Sequence, residues 1–106
     1  MPKRTRFFGS FEDAVQRLHR DLPLMKPVSI RRVHMKHYAG LCSLNKSKKR
    51  FTISIDKRLS EDAQVLVLLH EWAHALDWSP DKNRWPHSET WGENYARCLR
   101  IFDRVD

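Results

Sequence analysis

The segment His70-Glu71-Trp72-Ala73-His74 sets two histidines four residues apart, with a glutamate directly after the first. On a helix, positions i and i+4 lie one above the other, so both imidazoles can offer a nitrogen to one ion. Glu71 falls beside such an ion rather than opposite it, where a carboxylate can hold a water molecule and take its proton. A lone histidine on an apolar face is commonly a satisfied core residue. Two of them plus a carboxylate are costly to bury without a role. In a chain of this composition the pattern is expected by chance only about 0.015 times, so a zinc site is the better reading.

A catalytic zinc ion takes three protein ligands and leaves a fourth position for water or substrate. His87 and Glu93, thirteen and nineteen residues after His74, compete for the third place. They are six residues apart, about 120° around a helix, so both cannot point squarely at one ion.

Such a site needs a buried helix and a second element beside it. Ser60 is an N-cap, followed by Glu61 and Asp62 where the helix dipole favours acids. Residues 65–76 are apolar on nearly every side, which implies burial, and Trp78-Ser79-Pro80 ends the run. Residues 81–86 read as a polar loop. Residues 87–103 read as a last helix with Trp91, Tyr95, Cys98, Leu99 and Phe102 inward. Upstream, Ser10 caps a helix with Phe11, Val15 and Leu18 at helical spacing, ending by Pro23.

Between these helices, residues 27–35 and 38–44 read as strands, residues 45–49 as a polar turn, and residues 51–56 as the clearest strand. The expected fold is α+β: a small antiparallel three-stranded meander packed on the histidine-bearing helix, flanked by N- and C-terminal helices. Phe51, Ile53 and Ile55 should face that helix, with Thr52, Ser54 and Asp56 turned away. Residues 51–56 are expected at the sheet edge, where an extended peptide substrate can add as a further strand.

Composition narrows the class. The chain has 106 residues, 41% hydrophobic and 31% charged, which suits one domain over residues 1–106 with a basic arm at 1–9. Its one strong apolar run, Val65 to Leu69, is far short of the about 20 residues a membrane span needs. The basic N-terminus has no apolar stretch behind it, so no secretory signal is expected. Cys42 and Cys98 cannot form a disulfide scaffold, and free thiols in the cytoplasm are expected. The formal charge of +7 makes non-specific nucleic acid a candidate partner. Its expected contacts are the arm Lys3, Arg4, Arg6 and the turn Lys46, Lys48, Lys49, Arg50. Nothing in the pattern calls for a second subunit, and a monomer is expected.

Residues 65–75 (Val-Leu-Val-Leu-Leu-His-Glu-Trp-Ala-His-Ala) and His87-Ser88-Glu89-Thr90-Trp91 resemble the SprT-like zincin metallopeptidases, the family that includes Spartan, a DNA-dependent protease. Gly40-Leu41-Cys42 and the Phe51-Thr52-Ile53-Ser54-Ile55 strand are also similar, and the resemblance extends from Ser10 to Asp103. In that family a histidine in a His-Gly-Pro-x-aromatic segment completes the metal site and the aromatic packs on the core. This chain keeps the histidine and the aromatic four residues on, without the Gly-Pro. The resemblance implies Zn2+ held by His70, His74 and His87, with Glu93 the alternative third ligand and Glu71 the catalytic base. Two cysteines cannot build the family's separate zinc ribbon, so the catalytic core alone is expected.

Two functions compete. One is a zinc-dependent metalloendopeptidase acting on protein or peptide substrates. The other is a basic nucleic-acid-binding module with a structural or vestigial zinc. Glu71 favours the enzyme, because a structural site has no use for a carboxylate beside the metal. Asp77, seven residues after His70, either orients a ligand histidine or is merely solvated. Tyr38 and Tyr95 can donate to an oxyanion, although packing is the expected role of each. His34 and His37 are read as surface residues. Trp72, Trp78, Trp85 and Trp91 are read as core or loop anchors.

Overall fold

Serine caps start all three helices. In a computed structural model, which describes residues 8–45, 47, 49–78 and 87–102, Ser10, Ser60 and Ser88 accept from the backbone N–H three residues on, Asp13, Ala63 and Trp91 respectively. The elements are α1 (Phe11–Asp21), β1 (Val28–Val33), β2 (Gly40–Asn45), β3 (Arg50–Asp56), α2 (Glu61–Leu76) and α3 (Glu89–Arg100). The layout is α+β, as the sequence implies. The loop residues 81–86, Trp85 among them, lie outside the described residues.

The sheet is not the expected meander. Its order is β1-β3-β2, with β1 parallel and β2 antiparallel to β3. Consecutive strands were expected to pair, but residues 34–39 carry the chain past a vacant strand position. Six extended residues span at most about 20 Å, and the gap to cross is about 10 Å. β3 then fills it. This is the physically favoured arrangement: the strand with the clearest inward apolar stripe, Phe51, Ile53 and Ile55, takes the centre, and Arg31 and Arg32 suit an edge. Phe51, Ile53 and Ile55 are buried as expected. Ser54 and Asp56 are buried too, against expectation, because a central strand has neighbours on both sides. The expected addition of a substrate strand to β3 is therefore excluded: both of its edges are taken.

Helix α2 packs against α1, α3, β2 and β3. Val65, Leu68, Leu69, Trp72 and Ala73 are wholly buried, and Trp72 Nε1 donates to Leu22 O at 2.9 Å. Leu66, at 40% exposure, departs from the expected all-round burial. The start of α2 also anchors α1, since the Phe11 N–H donates to Glu61 Oε2 at 2.7 Å and the Phe8 N–H to Asp62 Oδ1 at 3.2 Å. Glu61 and Asp62 thus serve two helix starts.

The turn from β3 into α2 is held by polar contacts. Gln64 Nε2 donates to Lys57 O and Leu59 O, and its Oε1 accepts from Arg32. Asp56 accepts from the Arg58 backbone and guanidinium, and Arg58 Nη2 also reaches Met35 O at 2.7 Å. The Arg58 contacts lower the Asp56 carboxyl to about 2. A folded-state value below the unfolded about 3.9 stabilises the fold above that pH, and the benefit is lost as pH falls through about 2. Asp56→Asn is expected to lower the melting temperature at pH 7, with the difference from wild type shrinking between pH 4 and pH 2. Thermal melts across that range check it, and a difference independent of pH would contradict this origin.

Candidate metal centre

Along α2 the buried side chains form one stripe, which leaves His70 and His74 on the other side, half-buried and facing α3. The third histidine arrives from outside any helix. His87 was expected to open the last helix, but Ser88 is the cap and Glu89 the first helical residue. The helical angle between His87 and Glu93 therefore does not constrain the choice. The structure brings His70, His74 and His87 together, with one nitrogen of each within 4.8 Å of the others. Glu93 is exposed on α3 and outside this group.

The three rings form a nearly equilateral triangle, with centroids 4.9, 5.0 and 4.9 Å apart. His70 Nε2 lies 3.3 Å from His74 Nε2 and 3.1 Å from His87 Nε2. An imidazole nitrogen has a single in-plane position for a proton or a lone pair, so His70 Nε2 cannot serve two such neighbours well by hydrogen bonding. One shared cation can. A tetrahedral zinc ion with bonds of about 2.0–2.1 Å holds its ligand atoms about 3.3–3.4 Å apart, close to the separations here. The donor set fits zinc.

Burial favours the form of these rings that binds metal. It lowers the pKa of His70, with the His87 charge adding to the effect. Burial also lowers His74, to about 4, aided by His70 and His87 and opposed by Asp77. Both are neutral at pH 7, with lone pairs available. Glu71 is 7% exposed, and burial raises its carboxyl to about 7. Cys42 is raised to about 12 by burial and then by the Glu71 charge. Cys42 and Cys98 are both free thiols.

Trp91 holds the group from the α3 side. Its ring lies 4.9, 5.4 and 4.6 Å from those of His70, His74 and His87, and its Nε1 donates to His70 O at 3.4 Å. The aromatic four residues after His87 thus packs on the histidines themselves. Asp77 accepts from Ser88 Oγ at 3.2 Å, so it is not merely solvated. His34 and His37 are exposed.

A cleft of 380 Å³ opens in front of His70, lined by Tyr38, Gly40, Leu66, Val67, His70, Glu71 and Tyr95 among others. Tyr38 is 65% exposed on its rim, so the packing role expected for it is not what forms. Tyr95 does pack, stacked on Trp91 at 5.2 Å, and also lines the cleft. The rim also includes Gly40. A Cβ at Gly40 would overlap the Val67 Cγ1 methyl and come within 3.2 Å of Glu71 Oε2. Only glycine lets β2 approach α2 this closely, and a glycine within a strand is the available signal for it.

A histidine triad on and beside a buried helix, a glutamate next to it, and a sheet edge nearby make a zincin-like arrangement. The chain belongs to the SprT-like family, whose model matches residues 5–105. No curated protein and no solved structure matches it.

Gly40→Ala tests the close approach. A β-branched side chain on a helix has little rotamer freedom, so Val67 cannot simply turn aside. Stability is expected to fall by about 1–3 kcal/mol, measured as a shift in the denaturant midpoint. An unchanged midpoint would mean that α2 has room to retreat.

Proposed function

We propose that this chain is a zinc-dependent endopeptidase acting on protein or peptide substrates. The observation that carries the reading is the convergence of three imidazole nitrogens next to an open cleft whose lining includes His70 and Glu71. His70, His74 and His87 are the ligands in this reading, and the exposed Glu93 is not. Zinc held there supplies Lewis acidity toward a water and the scissile carbonyl. Glu71 takes the proton of the attacking water and delivers it to the leaving amine. Its side chain, against Gly40 and adjacent to His70, faces the volume where both would lie.

The free sheet edge by the cleft belongs to β2, which among the described residues pairs with β3 alone. An extended segment can pair with the backbone along this outer edge of β2, beside the cleft. Main-chain pairing is indifferent to side chains, so broad specificity for unfolded segments follows.

The test is a set of four proteins. Wild type is expected to bind one zinc per chain and cleave an unfolded protein substrate. Glu71→Gln should keep the zinc and lose about 10²-fold or more in hydrolysis. His87→Ala should lose most zinc affinity and Glu93→Ala little. Undiminished cleavage by Glu71→Gln, or the reverse ranking of the last two, would refute the assignment.

A second partner class is supported by charge. The sheet face away from α2 carries Ser29, Arg31, Ser43, Arg50, Thr52 and Ser54, and among the described residues no helix packs on it. Its carboxylate, Asp56, is already paired with Arg58. The proposed contacts with non-specific nucleic acid are Arg31, Arg50 and Lys49; the arm residues Lys3, Arg4, Arg6 and the turn residues Lys46, Lys48 lie outside the described residues. Duplex binding should weaken steeply with salt and drop in Arg31→Gln/Arg50→Gln. Fluorescence anisotropy showing no loss at low salt would remove this face from the proposal.

A further inference from the structure

Asp77 stands where its own helix favours it least. It is the C-cap of α2, its N–H bonded to Ala73 O and Ala75 O, and a carboxylate there faces the negative end of the helix dipole. The same carboxylate lies at the positive end of α3. Ser88, the N-cap of α3, donates its hydroxyl proton to Asp77 Oδ2 at 3.2 Å and accepts the Trp91 N–H at 3.2 Å. A hydroxyl has one proton, so in the 2.9 Å contact between Ser88 Oγ and Thr90 Oγ1 Thr90 is the donor. The Ser88 hydroxyl is fully used, and Asp77 determines which way its proton points.

The residue next to Ser88 is His87. It is exposed and precedes the helical residues of α3, yet its Nε2 sits 3.1 Å from His70 Nε2. An exposed residue outside a helix holds such a position only if its neighbours fix the chain. Trp91 supplies one contact, through its ring. The hydrogen bond between Asp77 and Ser88 supplies the other, closing the chain from the end of α2 to the start of α3.

We infer that the Asp77–Ser88 pair is a latch that holds His87 in place for the metal, which makes Asp77 a positioning residue for the third ligand. The inference rests on the zinc reading above. A rival route exists, since Asp77 also acts on His74 through its charge. The two routes predict different couplings. A latch working through His87 has nothing left to act on once His87 is gone, whereas an effect through His74 persists.

The experiment measures zinc affinity by chelator competition in wild type, Asp77→Ala, Asp77→Asn, His87→Ala and the Asp77→Ala/His87→Ala double variant. Asp77→Ala should weaken zinc binding about 10-fold or more, and Asp77→Asn, which keeps an acceptor oxygen, should recover most of it. In the His87→Ala background Asp77→Ala should change affinity less than about twofold. An unchanged single variant, or a full loss persisting in the double variant, would overturn the latch. Amide exchange in the metal-free proteins gives a second readout. Asp77→Ala should speed exchange at the Trp91 N–H and leave Leu69 and Trp72 unchanged. Unchanged exchange at Trp91, or a general rise along α2, would also overturn it. Wild-type protein that takes up no zinc would overturn the metal reading instead, and the exchange arm would still decide the latch.

Discussion

Along α2, Val65, Leu68, Leu69, Trp72 and Ala73 are removed from water entirely, and the other elements are arranged around that removal. Each large apolar side chain buried this way contributes about 1.5–3 kcal/mol. The gain fixes the helix in rotation as well as position, because only one orientation buries this stripe. Rotation is what the histidines need. With the stripe turned inward, His70 and His74 have no choice but to face α3, and Glu71 no choice but to face β2. The site is therefore a by-product of core packing on the opposite side of the same helix.

The second wall follows from the sheet. Putting β3 in the middle leaves β2 as the strand beside α2, and Gly40 lets the two come close. The cleft is the space left where that approach ends. Its apolar lining from Leu66 and Val67 explains why α2 reads as hydrophobic all round: part of that hydrophobicity lines a groove rather than the core.

Much of this was legible in the residues. The caps Ser10 and Ser60 and the inward stripe of β3 follow from local chemistry, and the His70/His74 spacing is itself a statement about a helix face. What was not legible depended on non-local geometry. The pairing of β1 with β3 across a skipped position has no local signature, since residues 34–39 read the same whether the next strand is adjacent or two places away. The periodicity of α3 extends toward His87, and only the Ser88 cap shows where the helix starts. Ser88 read as part of a family pattern, with no hint that Asp77 was its partner. Tyr38 reads as a packing residue because aromatic side chains usually bury. Here the edge of the cleft holds it in solvent.

The three histidines have a further property in the order of the chain. They fall between positions 70 and 87, whereas the β2 wall of the cleft comes from about thirty residues upstream. Closing the shorter loop loses less chain entropy than bringing β2 against α2, and local contacts form sooner than distant ones. Helix α2 and His87 can meet while the sheet is still assembling.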